Sequence, residues 1–371
     1  MQFPQLRFGD LVARTPIIQG GMGVGVSLSG LAAAVANEGG VGVIATAMIG
    51  MKDPHRKMDP AGADSRALID EIRKAHDKMV DGLLGVNIMC AVTNFKELVL
   101  TSLRERVDVI FSGAGLPLDL PKYLSDVSEE LKDKLKTKLV PIVSSGRAAG
   151  ILCRRWWGRF DRLPDGFVVE GPKAGGHLGF KPEQIDDPSF SLETILGDVL
   201  EAVRPFAEMA KKQIPVIAAG GIYSGEDIAK FLRLGASGVQ MGTRFVATNE
   251  CDADIAFKEA YVAARKEDIT IINSPVGLPG RALKNSFLDN VAAGMRSPRK
   301  CVFKCLHTCD EEQAPYCIAL ALCNAYKGKL KHGFAFAGAN AYLVEKIVSV
   351  KELLDSLKRE FDAFWAGEEG K

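Results

Sequence analysis

No run of apolar residues in this chain reaches the roughly 18 that a membrane-spanning helix needs, so no membrane span is expected. An excess of one charge is missing as well. Lys and Arg number 47 against 46 Asp and Glu, a net charge of +1. Such a balance creates no long-range field toward nucleic acid, an acidic partner or an anionic lipid surface. Cysteine is too sparse for a disulfide scaffold, with eight in 371 residues. The opening stretch MQFPQLRFGDLVARTP lacks the apolar core behind a basic segment that marks a secretory signal, and the cytoplasm is the expected compartment. A dinucleotide fingerprint is also absent. Gly21-Met22-Gly23-Val24-Gly25 is glycine-rich, but it lacks GxGxxG spacing with an acidic partner about 20 residues on.

What is present is the composition of a globular protein, 47% hydrophobic and 25% charged. The length allows one large barrel with an extra subdomain, or two ordinary domains. Eight short β-rich runs are expected at 16–21, 41–46, 84–90, 107–113, 139–145, 167–171, 215–220 and 238–244. Most are continuously apolar, as in VGVIAT and PVIAAGG, which is how strands buried on both faces read. Helical patterns lie between them, at 27–38, 64–80, 95–104, 123–135, 147–160, 192–212, 225–234 and 252–266. Ser27 suits the N-cap of the first and Gly39 its stop. Eight strand–helix units in about 250 residues predict a (β/α)8 TIM barrel, with an open doubly wound sheet as the competing architecture. The predicted barrel spans residues 1–268. Residues 269–371 are expected to form a mostly helical, cysteine-rich C-terminal subdomain over the barrel mouth. Its last amphipathic stretch, 349–364, reads as structural. Long loops at 47–62 and 171–189 fall at the face where barrels bind ligands.

Two strand ends carry the first chemical signal. Gly220-Gly221-Ile222 closes strand seven, with Tyr223-Ser224-Gly225 opening a helix, and Gln240-Met241-Gly242-Thr243 closes strand eight. Glycines let backbone N–H groups approach an anion, and a helix N-terminus adds partial positive charge. A phosphate site is expected there, although glycines for tight turns alone would give the same pattern. The strongest local signal is Glu170-Gly171-Pro172-Lys173-Ala174-Gly175-Gly176-His177, at the end of strand six. Histidine can move a proton near neutral pH, and it can also merely cap a loop. Gly20, Gly21 and Met22 end strand one with little bulk. Asn87, in GVNIM, either meets a ligand or satisfies a neighbouring backbone group.

In order along the chain, PIIQGGMG, GVNIM, SGAG at 112–115, EGPKAGGHLG, VIAAGGI and VQMGTRF resemble the nitronate monooxygenases, formerly 2-nitropropane dioxygenases. The FMN-dependent enoyl-acyl-carrier-protein reductases of the same superfamily share the pattern. Arg281-Ala282-Leu283-Lys284-Asn285 is similar to the segment that follows the barrel in both. The resemblance covers roughly residues 12–290. It implies an FMN-binding TIM barrel, with Gly20, Gly21 and Met22 lining the flavin and Asn87 at its ring system. Gly175, Gly220, Gly221, Gln240, Gly242 and Thr243 would hold the ribityl phosphate region, and His177 would be the catalytic residue. It also implies a small-molecule substrate. Either an alkyl nitronate is oxidised to a carbonyl compound and nitrite with His177 as base, or NAD(P)H-derived electrons reduce an enoyl thioester or quinone. A barrel that binds a phosphorylated ligand without redox chemistry is the alternative of another class.

One set of residues departs from that family. Cys301, Cys305, Cys309 and Cys317 are closely spaced, with His307 among them and Cys323 beyond. They could ligate an iron–sulfur cluster or zinc, though their spacing fits no common pattern. Small buried thiols, or a pair joined on oxidation, would serve as well. The i, i+4, i+8 spacing of the first three puts them on one face if the segment is helical. Trp156-Trp157 is expected on a helix exterior or at an oligomer contact, leaving a homo-oligomer open. The charged run 129–138 reads as a solvated helix face.

Overall fold

The structure is a computed structural model describing residues 3–132, 134–296, 301, 303–310 and 312–369. Eight parallel strands close into a barrel in the order of the chain. They are β1 (Ile17–Gln19), β2 (Val41–Ala45), β3 (Leu83–Met89), β4 (Val109–Gly113), β5 (Lys138–Val143), β6 (Phe167–Glu170), β7 (Val216–Ala219) and β8 (Gly238–Met241). The ring closes where Val239 of β8 pairs with Ile17 of β1. All eight predicted strands are present, and the open-sheet alternative is excluded.

Alternation along each strand sorts the side chains into two cores. One face of each strand points inward, where Ile18, Val43, Phe111, Val140, Val168 and Ile217 fill the lumen. A short hairpin of Leu6–Phe8 with Leu11–Ala13 adds Leu6 and Phe8 to that cluster. The opposite face packs on the surrounding helices. Among these, Trp156 is fully buried, with its indole N–H donated to the carbonyl of Pro117 at 3.0 Å. Trp157 is the exposed member of the pair, so half of the expected exterior Trp-Trp surface belongs to the core.

Several local readings change. The first helix is Ser29–Asn37, and Ser27 does not cap it. Ser27 Oγ instead accepts the N–H of Met22 at 2.8 Å. The helix start is held by Asp252, whose carboxylate accepts the N–H groups of Leu28, Gly30 and Leu31. Asp252 thus performs from a distant loop the satisfaction of open amides normally done by an N-cap. The helix expected at 123–135 is only a 3-10 turn at Leu120–Leu124 and one α turn at Glu129–Lys132. Asp133, in the predicted solvated run, lies outside the described residues. Gly146–Phe160 is a full helix, capped by Ser145.

The region after the barrel does not begin as helix. β9 (Ile269–Asn273) and β10 (Pro279–Leu283) form an antiparallel hairpin, with Ile271 opposite Arg281. Ile269, Thr270, Ile271 and Ile272 are β-branched, which suits a pleated strand. β10 then pairs with the loop after β6, Gly280 opposite His177 and Arg281 opposite Gly176. Helices follow at Ser286–Ala292, Ile318–Tyr326 and Val350–Glu369. The last lies so close to helix Gly225–Arg233 that a Cβ on Gly225 would sit 2.2 Å from the carbonyl oxygen of Leu357.

Candidate active site

A cavity of about 860 Å³ opens at the C-terminal end of the barrel. It brings together Gly20, Gly21, Met22, Asn87, Gly175, His177, Gly220, Gly221, Gln240, Gly242 and Thr243, every barrel residue singled out above. Strand register explains the floor. Ala45 pairs with Asn87, and Ala219 pairs with both Glu170 and Gln240. These residues form the layer directly above the lumen core. Gly20, Ala45, Gly113 and Ala219 keep it low, and Asn87, Glu170 and Gln240 supply its polar groups. A Cβ on Gly21 would lie 2.3 Å from that of Asn87, so the strand-one turn depends on glycine there.

The ends of β7 and β8 offer backbone donors. Among the described residues no acceptor takes the N–H groups of Gly221, Ile222, Gly242 or Thr243. Gly221 has φ +85°, a conformation glycine adopts without penalty. The expected help from the N-terminus of helix Gly225–Arg233 is not available. Asp227 accepts the N–H groups of Tyr223 and Ser224, Ser224 caps the amide of Asp227, and Glu360 accepts that of Gly225 at 2.7 Å. Acidic side chains have taken that helix end.

A strap at 338–340 completes this corner, and nothing in the sequence pointed to it. Gly338 N–H is donated to Thr243 Oγ1 at 3.1 Å, Ala339 N–H to the carbonyl of Lys173, and Asn340 Nδ2 to the carbonyl of Gly221 at 2.6 Å. The guanidinium of Arg244 stacks on Tyr223, 4.3 Å from the ring centre. Free amides above a low floor with unpaired amide side chains fit a flat, phosphorylated ligand such as FMN. Gly221, Ile222, Gly242 and Thr243 would hold its phosphate, with Asn87 and Gln240 at the ring and ribityl portions.

His177 stands in the cavity wall, on the same loop after β6 that the strap binds through Lys173. Its Nε2 is 2.7 Å from Ser274 Oγ, and its ring meets Phe336 edge-on at 5.0 Å between centres. Burial pulls its pKa down to about 4, so the ring is neutral through the physiological range. Ser274 is buried and sits just after β9. Buried Arg281, in β10, donates from Nη1 to the carbonyls of Pro172 and Ala174, five and three residues before His177. Neither Ser274 nor Arg281 was marked as a site residue, because a hairpin joined to the β6 loop cannot be read from spacing. Glu170 is half-buried at the end of β6, and desolvation pushes its carboxyl up to about 7.

The cysteine segment corrects two expectations. Residues 303–310 are not helical, so no helix face aligns Cys301, Cys305 and Cys309. The segment docks on the loop after β3 instead, through a bridge between Val92 and Leu306 and bonds joining Thr93 to Cys305 and His307 to Ala91. Among the described residues no group of three or more His, Cys, Asp or Glu side chains is placed to hold a metal ion. Cys305 lines the cavity. Burial first, and then the nearby Cys317, Cys301 and Cys309, push its thiol up to about 12, so it is protonated at neutral pH. No helix of the described residues is long and apolar enough to cross a membrane.

A closed parallel barrel with a cavity at its C-terminal mouth and a half-buried neutral histidine in the wall has the architecture of a TIM-barrel enzyme. The chain belongs to the nitronate monooxygenase family, whose pattern matches residues 7–360. The family is one of oxidoreductases, for which FMN is the expected cofactor. It is 32% identical to a nitronate monooxygenase of Pseudomonas aeruginosa, over 78% of this chain and 83% of that one. It is 30% identical to the (3aS,4S,5R,7aS)-5-hydroxy-7a-methyl-1-oxo-octahydro-1H-indene-4-carboxyl-CoA dehydrogenase of Rhodococcus jostii, over 74% of this chain and 64% of that protein. The chain thus spans less than two thirds of that relative's length. The structure of FabK from Thermotoga maritima superposes with a TM-score of 0.71 at 29% identity, covering 96% of each chain.

Proposed function

We propose that this protein oxidises an alkyl nitronate to a carbonyl compound and nitrite, with dioxygen as co-substrate and His177 as the residue that engages the substrate. The observation that carries the reading is the neutral imidazole of His177 in the wall of the cavity. FMN, when bound, supplies the electron-accepting chemistry. The protein's own contribution is placement. From the floor Asn87 orients the ring and Gln240 the ribityl portion, and the donors at 221–222 and 242–243 anchor the phosphate. His177 is in the form that accepts a proton. With a pKa of about 4 it is a weak base, which favours holding a preformed nitronate oxygen over deprotonating a nitroalkane.

A second reading has its own support. Beyond the flavin floor the cavity wall is apolar, with Phe180, Phe190, Leu278, Leu306, Ile318 and Leu322. That surface suits an acyl chain, and FabK and a CoA dehydrogenase stand among the similar proteins. On this reading NAD(P)H delivers the electrons and an enoyl thioester or quinone receives them. A barrel that only binds a phosphorylated ligand is disfavoured by the half-buried neutral histidine facing the cavity.

Anaerobic mixing of the purified, flavin-loaded protein with propyl-2-nitronate, NADH or NADPH separates the readings. Bleaching of the flavin band by nitronate, with nitrite released on admitting air, is the expected outcome. Bleaching by a nicotinamide alone, reversed by crotonyl thioester, overturns it in favour of the second reading. No bleaching by any of them favours the non-redox barrel.

A further inference from the structure

The cavity extends beyond the floor and His177. The loops after β2 and β3 lie four and three strands round the ring from β6, across the barrel mouth from the loop that carries His177. On that far side several pieces of chain meet. Met48 comes from the β2 loop, Asp64 from the helix Pro60–Lys78 that follows it, and Val92 and Asn94 from the β3 loop. Leu306 of the cysteine segment bridges to Val92, and Ile318 and Leu322 come from the helix Ile318–Tyr326. Lys52, its ammonium over the ring of Tyr326, ties the β2 loop to that helix. The lobe so formed is lined by apolar side chains and the Cys305 thiol, with Asp64 and Asn94 as its strongly polar groups.

An ion pair fixes how those two groups point. Buried Arg56 donates from Nη1 to Asp64 Oδ1, which also accepts the N–H of Gly50 at 2.8 Å. Asp64 Oδ2 accepts Nδ2 of Asn94 at 3.0 Å. A carboxylate only accepts, so Asn94 has to present its amide nitrogen to Asp64, and its Oδ1 is turned away. Asn94 stands at the N-cap of Phe95–Arg104, where an Asn oxygen ordinarily accepts an amide of its own helix. Here it makes no such bond. Among the described residues no donor meets Asn94 Oδ1, although the residue is only 9% exposed. The lobe therefore holds an oriented acceptor without a partner, and covering it with an alkyl end would bury it unpaired. We propose that this lobe binds the tail of the substrate, and that Asn94 Oδ1 accepts a hydrogen bond from a hydroxyl on that tail, remote from the reacting carbon. The substrate class is an apolar body carrying a distal hydroxyl. A distal carboxylate would instead meet the charge of Asp64. Asn94 is the specificity-determining residue, and Arg56 and Asp64 position its amide. The inference rests on the nitronate reading for the reacting end alone.

The test uses unreactive stand-ins. A carboxylate has the planar, two-oxygen anion of a nitronate, so the probes are the straight-chain acids from hexanoate to dodecanoate and the matching ω-hydroxy acids. Their dissociation constants are read from perturbation of the visible flavin band of the holoenzyme. In the wild type, at the chain length that reaches the lobe, the hydroxy acid is expected to bind at least as tightly as its parent. In Asn94→Leu the ratio of the two constants is expected to move about tenfold in favour of the parent acid. A wild type that binds every hydroxy acid about tenfold or more weakly than its parent overturns the inference, whether or not the variant folds. The same ratio in wild type and variant at every length overturns it too, as does the absence of binding by any of the acids. Nitrite release from propyl-2-nitronate, measured on the same holoenzyme, reports on the reaction separately. Expected acid ratios without nitrite overturn the nitronate reading and keep the lobe's preference, and nitrite with unchanged ratios does the reverse.

Discussion

His177 Nε2 and Ser274 Oγ lie 2.7 Å apart, linking the loop after β6 to the hairpin that follows the barrel. The two residues are separated by 97 positions in sequence. The contact occupies one ring nitrogen, and Phe336 packs edge-on against the ring.

Ser274 is therefore a positioning residue for His177. Ser274→Ala is expected to lower kcat about fivefold, the value of one hydrogen bond of about 1 kcal/mol, with FMN content unchanged. His177→Ala should cost far more. The double variant should be no slower than His177→Ala, because Ser274 acts only through the ring. Steady-state kinetics on the four proteins decide it. Losses that multiply in the double variant would give Ser274 a separate role.

Two titrations should oppose each other in the stability of the flavin-depleted protein. His177 has a pKa of about 4 when folded against an ordinary 6.5, so its contribution is complete above about 6.5 and lost as pH falls toward 4. Glu170 is raised from 4.5 to about 7, so its contribution is complete below about 4.5 and lost as pH rises through 7. The melting temperature of His177→Phe relative to wild type should fall as pH goes from about 4 to 6.5. That of Glu170→Gln relative to wild type should rise from about 4.5 to 7. Flat difference curves would mean that the two groups titrate normally.

Arg281 is buried and its Nη1 holds two carbonyls of the segment leading to His177. Arg281→Met leaves those carbonyls without their charged donor. Urea denaturation is expected to show a loss on the order of 3 kcal/mol, with kcat reduced because the segment carrying His177 loosens. Full stability in the variant would show that the pairing of Gly280 with His177 holds the segment unaided.

Much of the fold was legible because both faces of each barrel strand are buried. That burial writes uninterrupted apolar runs such as VGVIAT into the chain, and β2 appears where its run lies. Phe95–Arg104 likewise carries a helical period and is found at the predicted limits. Caps were less legible. Ser27 has the right chemistry for one, yet Asp252 supplies three acceptor contacts from elsewhere, a choice that only chain packing makes.

The site divides in the same way. The sequence by itself determined the residues at the strand ends: Gly220, Gly221, Gly242, Thr243, Asn87 and His177 all lie within a few positions of a readable strand, and closing the barrel gathers them in one cavity. Only the tertiary structure decided which groups hold them there. Ser274, Arg281 and the strap 338–340 come from chain that follows the barrel and reach the site through the hairpin and long-range backbone bonds. It also decided that Glu360, not a ligand, takes the amide of Gly225, and that the cysteines at 301–309 follow no helix. The physical reason is one of range. Burial periodicity is a local property of a strand, whereas a hydrogen bond between residues far apart in the chain exists only once the fold has brought them together.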